Sequence, residues 1–293
     1  MLKIRLWVLA GAALVFAGCE TARVAERDPV TVDAVYPPTM IEASFLSDGA
    51  RLNALVYLAD GAGPHPGVLL LHGYPGNEKN LDVAQYLRRD GWNVFFFHYR
   101  GAWGSEGEFS FVNAADDVGA ALAHMRENAG AYRLDPDRIA IVGHSMGGQM
   151  TLAGAANDPG VKCAVTLAAA PVEPDPQSPP DEETLDAVRA YADGLIMLRG
   201  HDGSNVIEQD AAFAQRFPLA RLTEKLGGKK LLMIGAEKDV AVPIGEHYRY
   251  AEAFGANPGI DLSTEVYDTD HGFATHRIAI SRRIADWLDA GCR

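Results

Sequence analysis

Short apolar runs alternate with longer amphipathic segments over most of the chain. The amphipathic segments cover residues 81–89, 114–128 and 146–157, and the apolar runs are GVLLLHG (67–73), NVFFFHYRG (93–101), RIAIVGH (138–144), VKCAVTLAAA (161–170) and KKLLMIGA (229–236). Fully apolar strands joined by crossover helices are typical of a mostly parallel sheet with helices on both faces. A last alternating run, DLSTEVYD (261–268), leads into a helix predicted to end near Ala290.

This alternation of apolar runs and amphipathic segments is interrupted at two places. Residues 41–59 alternate apolar and polar positions around Asp48-Gly49, which predicts an antiparallel hairpin at the edge of the sheet. Residues 171–228 contain PVEPDPQSPPDEE and two helix-like pieces, where a simple crossover would be shorter. We therefore expect an α/β fold of about eight strands with a small, cap-like helical insertion after the sixth strand. A solvated acidic excursion without function is the alternative for the insertion.

The N-terminus has the pattern of a secretory signal. Two cations precede an apolar run over residues 6–17, which is short for a membrane span, so residues 1–18 are predicted to be a signal peptide. Residues 16–19, FAGC, resemble the lipobox of bacterial lipoproteins, although Phe16 stands where leucine is usual. The resemblance implies acylation of Cys19 and, because Glu20 follows, attachment to the outer membrane facing the periplasm. An ordinary signal peptide or an uncleaved anchor is the alternative.

Residues 19–40 are polar and interrupted by prolines, which predicts a lipid-anchored tether before a single folded domain over residues 41–290.

Net charge and cysteine content narrow the choice of partners and cofactors. A net charge of -13 argues against nucleic acid as a partner. Cys163 lies in an apolar run and Cys292 is next to the chain end, so we expect no structural disulfide. No zinc-binding spacing is present, and neither a metal nor an organic cofactor is expected.

Ser145 lies in Gly-His-Ser-Met-Gly between a predicted strand and a predicted helix. This strand-turn-helix context is what a nucleophile elbow requires. A serine nucleophile needs a histidine base and an acid that orients the histidine. Asp239 follows the strand at 229–236, and His271 follows the next strand. Because parallel strands bring the loops after them to one edge of a sheet, we predict a catalytic triad of Ser145, Asp239 and His271.

These residues carry a resemblance to a known family. The motifs GHSMGG (143–148), GAEKDVAVP (235–243) and DHGF (270–273) resemble the three triad motifs of the α/β-hydrolase superfamily, and LLLHGYPGN (69–77) resembles its oxyanion loop. The segment HYRGAWGSEGEFSF (98–111) resembles a loop of the prolyl-oligopeptidase-like and dienelactone-hydrolase-like branches. The resemblance extends over residues 41–290. The backbone N–H groups of Tyr74 and Met146 are the expected oxyanion-hole donors.

Substrate contacts are harder to derive from the sequence. Trp103, Phe109 and Phe111 follow the fourth strand, and Met197 and Phe213 lie in the insertion, so all five are candidate pocket residues with ordinary packing as the alternative. Arg100 is a candidate for binding a carboxylate. Pairing with a nearby acid such as Glu106 is the alternative.

The expected activity is that of a serine hydrolase, a carboxylesterase-like enzyme that cleaves small-molecule esters through an acyl-enzyme. A prolyl-oligopeptidase-like (S9-type) peptidase or amidase acting on short peptides is the first alternative, because of the loop at 98–111. A non-catalytic envelope lipoprotein is the second.

Overall fold

A computed structural model describes residues 24–171 and 173–293 of the chain. The predicted signal peptide, Cys19 and the start of the predicted tether lie outside these residues. The described part contains eight strands, which are β1 (Thr39–Ser47), β2 (Ala50–Leu58), β3 (His65–Leu71), β4 (Asn93–Phe97), β5 (Leu134–His144), β6 (Cys163–Leu167), β7 (Lys230–Ala236) and β8 (Asp261–Tyr267).

The strands form one sheet in the order β1-β2-β4-β3-β5-β6-β7-β8. β1 and β2 pair antiparallel around the Asp48-Gly49 turn, and β2 pairs antiparallel with β4. All pairs from β4 to β8 are parallel. The predicted mostly parallel sheet with an antiparallel N-terminal hairpin is therefore confirmed.

Helices follow most of the parallel strands. They are α1 (Leu81–Arg89), α2 (Phe111–Glu127), α3 (Met146–Asn157), α4 (Glu182–Asp193), α5 (Val206–Arg216), α6 (Leu219–Lys225), α7 (Ile244–Gly255) and α8 (Arg277–Gly291). The bounds of α1 and α3 are those predicted from the sequence. α2 begins earlier than predicted because the Ser110 hydroxyl caps it by accepting from Asn113 N–H.

The sheet is buried on both faces because its strand residues alternate between two cores. Leu69 and Leu71 of β3 point into one apolar cluster with α2, α3 and α5, whereas Val68 and Leu70 point into another with α1 and α8. This alternation explains why the central strands are apolar at every position. Because β5 to β8 run parallel, the carboxyl ends of β5, β7 and β8 lie at one edge of the sheet.

The insertion after β6 contains three helices, α4 to α6, where the sequence indicated two helical pieces. It is packed onto the main domain. Phe213 of α5 is fully buried, and its ring lies 5.0 Å from that of Phe217. Arg216 of α5 forms an ion pair with Asp116 of α2. The insertion is therefore a built part of the fold and not a solvated excursion.

Two expectations about the chain ends differ from the structure. Residues of the predicted tether pack on the domain, because Ala25 is fully buried and Glu26 accepts from Arg282 of α8 at 2.6 Å. The folded unit therefore begins before Ile41. Cys163 of β6 and Cys292, just after α8, form a disulfide, which contradicts the expectation of no structural disulfide. These two cysteines are 129 positions apart, so only the tertiary packing of α8 reveals the pair.

Within the described residues, none of the helices has the length and apolar character needed to cross a bilayer.

Candidate active site

Ser145 lies in the tight turn between β5 and α3. Its backbone has φ 58° and ψ -123°, a strained conformation for a residue with a side chain. Its N–H donates to the carbonyl of Leu167 on β6 at 2.9 Å, which helps to hold this conformation. The turn also needs Gly147, because a Cβ there would lie 2.2 Å from the Leu71 carbonyl oxygen. The predicted elbow geometry at Ser145 is thus present.

His271 follows β8 and contacts the acid that follows β7. Its Nδ1 lies 2.6 Å from Oδ2 of Asp239. The other oxygen, Oδ1, accepts from the N–H groups of Ala241 and Val242, both at 2.8 Å. Burial alone would raise the pKa of Asp239, but the hydrogen bonds from His271 and these two amides outweigh it and lower the pKa. Asp239 is therefore a charged acceptor that orients the His271 ring.

A second histidine supports the backbone of the first. Nε2 of His144 donates to the carbonyl oxygen of His271 at 2.8 Å, and the two rings lie 4.6 Å apart. Burial lowers the pKa of His144 to about 4 and that of His72 to about 4 as well, so both imidazoles are neutral near pH 7. His144 is consequently a support for the His271 loop.

Ser145 and His271 line the same cavity, which has a volume of about 900 Å³. Tyr74 and Met146 also line it. Asp239 lies behind His271, with its side chain only 1% exposed. The rest of the wall comes from α2, α3, α4, α5, the segment after β6, and the loop after β7 with the start of α7. The insertion thus forms one side of this cavity.

Only one of the five aromatic and methionine candidates lines the cavity. Phe111 is part of its wall, whereas Trp103, Phe109, Met197 and Phe213 are not among the lining residues. Phe109 and Phe213 are buried in the core. Nε1 of Trp103 donates to the Pro75 carbonyl, and Met197 packs against the core. Helical and loop spacing could not separate these packing roles from substrate contact.

A hydrogen-bonded chain connects the loop after β3 to the insertion. The Tyr74 hydroxyl lies 2.6 Å from Nε2 of His201, and Nδ1 of His201 lies 2.8 Å from Oε1 of Gln209 on α5. His201 also lies edge-on to the rings of Phe109 and Phe111. Sequence reasoning missed His201, because nothing close to it in the chain indicates its partner.

Arg100 has a structural role. Its Nε lies 2.7 Å from Oδ1 of Asp117 on α2, and its Nη1 lies 3.0 Å from Asp48. Glu106, the partner considered from the sequence, pairs with Arg51. Asp117 is fully buried, and burial raises the pKa of its carboxyl against the opposing effect of the Arg100 bonds. Arg100 is thus not free to bind a substrate carboxylate.

Among the described residues, no group of three or more His, Cys, Asp or Glu side chains is arranged to hold a metal ion.

The chain matches the profile of a family described as alpha/beta hydrolase fold over residues 66–226, a little more than half of its 293 residues. The chain belongs to the α/β-hydrolase family. It is 31% identical over 127 residues to the uncharacterized protein YfhR of Salmonella typhimurium, in an alignment covering 41% of this chain and 42% of that protein. It is 28% identical over 129 residues to the quorum-quenching protein AidA of Acinetobacter baumannii, covering 42% and 41%. Less than half of each relative's length is therefore matched.

A solved structure extends the likeness over nearly the whole fold. The esterase Pf2001 of Pyrococcus furiosus superposes with a TM-score of 0.63, covering 88% of this α/β-hydrolase chain and 93% of that one at 20% identity. At this identity the likeness concerns the fold. Family membership and fold together support a hydrolase.

Proposed function

We propose that this α/β hydrolase cleaves carboxylic esters through an acyl-enzyme on Ser145. The observation that carries the proposal is the contact of His271 with Asp239 beside a cavity that Ser145 and His271 both line. A strained serine at a helix N-terminus that shares a cavity with an oriented imidazole is suited to acyl transfer. Such strain costs stability and serves no packing purpose, which argues against a non-catalytic role.

The proposed reaction has two halves. His271 Nε2 takes the proton of Ser145 Oγ as this oxygen bonds to the ester carbonyl carbon, and the protonated ring returns it to the departing alcohol oxygen. Water then gives a proton to His271 as its oxygen attacks the acyl-enzyme. The proton passes to Ser145 Oγ when the acid leaves. Asp239 stabilises the imidazolium in both halves and keeps hydrogen on Nδ1.

The proposed oxyanion hole consists of the backbone N–H groups of Tyr74 and Met146. Met146 is the first residue of α3, where the unpaired N–H groups and the helix dipole favour negative charge. The loop that carries Tyr74 approaches the serine closely, since a Cβ at Gly73 would lie 2.9 Å from Ser145 Cβ. Both donors therefore belong to segments adjacent to the nucleophile.

Labelling with a fluorophosphonate tests this function. Wild type should be labelled and should hydrolyse p-nitrophenyl esters, whereas Ser145→Ala should lose labelling and at least about 10⁴-fold in kcat. Ser204→Ala, which changes an exposed serine of the insertion, serves as the matched control. Failure to label folded wild type would refute the proposal. Peptide anilides run in parallel address the peptidase alternative, and anilide turnover exceeding ester turnover would replace the esterase proposal.

We also propose that the protein is exported and held by lipid on Cys19 at the outer membrane, facing the periplasm. The Cys163–Cys292 disulfide supports export, because disulfides persist mainly in oxidising compartments. Stable attachment needs more than one acyl chain, as a lipoprotein terminus provides. Incorporation of an alkyne fatty acid that Cys19→Ser abolishes is the expected result. A soluble, unlabelled wild type would contradict it.

A further inference from the structure

The wall of the active-site cavity carries negative charge. Its acidic residues are Asp175, Asp181, Asp210 and Glu246, and none of its lining residues is lysine or arginine. His271, the histidine in this wall, is engaged with Asp239. An anionic acyl or alcohol group would therefore meet repulsion in this cavity, where partial removal of water strengthens electrostatic interactions.

Three of the four acids have partners within the protein. Asp175 accepts from Gln177 N–H at 2.9 Å. Asp181 caps α4, where its Oδ1 accepts from the Thr184 N–H at 2.9 Å and from the Thr184 hydroxyl at 2.7 Å. Glu246 pairs with Arg249 at 2.6 Å. Each of these three carboxylates therefore already accepts a hydrogen bond or forms an ion pair within the protein.

Asp210 differs from these three acids. It projects from α5 into the cavity wall, and no hydrogen bond or ion pair to its carboxyl is found among the described residues. Burial raises the pKa of Asp210 to about 6. The carboxyl is thus still largely ionised at pH 7 to 8, although no cation or donor compensates for its lost hydration. A partly buried charge of this kind has lost part of its hydration, so pairing with a cation would stabilise it.

Aromatic rings form the neighbouring wall of the same cavity. The Tyr74 ring lies 5.6 Å from the ring of Phe111 and 6.0 Å from that of Tyr191, and all three residues line the cavity. Aromatic faces attract cations through their quadrupole, most strongly where water is excluded. An unpaired carboxylate and several aromatic rings in one cavity together make an environment that is favourable for an organic cation.

We infer that the preferred ester carries a cationic nitrogen and that Asp210 is the residue that selects it. This inference rests on the proposed function, since it names the substrate class of the same cavity. Asp210 acts on binding of the charged group and takes no part in the proton transfers. Its contribution should therefore depend on the charge of the substrate and not on the presence of the ester bond.

Two esters that differ only in charge test the inference. Butyrylcholine and its neutral carbon isostere, 3,3-dimethylbutyl butyrate, have closely similar shapes. At pH 8, wild type should show a kcat/KM about tenfold or more higher for the cation. Asp210→Asn should lower the cation-to-neutral ratio of kcat/KM by about tenfold. Glu208→Gln removes the same charge from an exposed position of α5 and should preserve the ratio.

The outcomes separate this inference from the proposed function. A wild-type ratio near one, or an unchanged ratio in Asp210→Asn, overturns the role of Asp210 while neutral ester turnover upholds the esterase. A folded wild type that hydrolyses neither ester and resists fluorophosphonate overturns the proposed function itself. The wild-type ratio needs no variant, so the inference stays falsifiable even when Asp210→Asn fails to fold.

Discussion

The Tyr74 hydroxyl lies 2.6 Å from Nε2 of His201, a residue 127 positions away in the insertion. Because Gln209 Oε1 accepts from His201 Nδ1, the hydrogen of the neutral ring is on Nδ1 and Nε2 accepts from Tyr74. Burial lowers the pKa of His201, which favours this neutral form. The insertion is thus hydrogen-bonded to the loop that carries a proposed oxyanion donor.

Tyr74→Phe removes this hydrogen bond and leaves the backbone N–H in place. Loss of this partly buried bond costs about 1 kcal/mol or more, so we expect kcat for a neutral ester to fall about five- to tenfold through displacement of the loop. Steady-state kinetics and thermal unfolding check this. Tyr248→Phe, at an exposed position of α7, is the control. Full kcat in Tyr74→Phe would show that the insertion does not position the loop.

Asp239→Asn should lower kcat by about four orders of magnitude, because asparagine favours the wrong imidazole tautomer. Asp268→Asn is the control, since Asp268 is exposed and paired with Lys238. The lowered pKa of Asp239 means that its charged form stabilises the fold. That contribution is present above the carboxyl's unfolded pKa and is lost as pH falls through the lowered folded value. A kcat loss equal to that of Asp268→Asn would exclude Asp239 as the orienting acid.

Asp117→Ala should destabilise the fold by about 3 to 5 kcal/mol, because it leaves the buried Arg100 with only the exposed Asp48 as an ionic partner. The two side chains are 0% and 7% exposed, respectively. Asp116→Ala, one residue earlier on α2, breaks a pair whose side chains are about two-fifths exposed and should cost less than about 1 kcal/mol. Urea unfolding of both variants measures the difference. Similar losses in the two would contradict the structural role given to Arg100.

Reduction of the Cys163–Cys292 disulfide should lower the free energy of unfolding by about 2 to 5 kcal/mol, because the bond closes a loop of 129 positions between β6 and the chain end. Chemical unfolding with and without dithiothreitol measures this change. The double variant Cys163→Ser with Cys292→Ser should match reduced wild type and show no response to the reductant. An identical unfolding curve for oxidised and reduced wild type would exclude a stabilising bond.

Local patterns in the sequence were enough for the main elements of the fold. The apolar runs predicted the parallel strands, and amphipathic spacing predicted α1 and α3 to the residue. Glycines around Ser145 predicted a turn that the structure contains, since the steric demand of such a turn acts within a few residues. The order of Asp239 and His271 after successive strands predicted their proximity, because parallel strands end at one edge.

Contacts between distant segments were decided only by tertiary structure. Cys163 is bonded to Cys292 and Tyr74 contacts His201, although the members of each pair are more than a hundred positions apart in the sequence. Arg100 pairs with Asp117 of α2 and not with its sequence neighbour Glu106, because the folded chain places the Asp117 carboxylate beside both the backbone N–H and the guanidinium of Arg100. The cavity wall, including Asp210, depends on how α4 and α5 fold back over the sheet. Sequence periodicity reports which face of an element is buried, whereas packing determines what each buried or cavity-facing side chain meets.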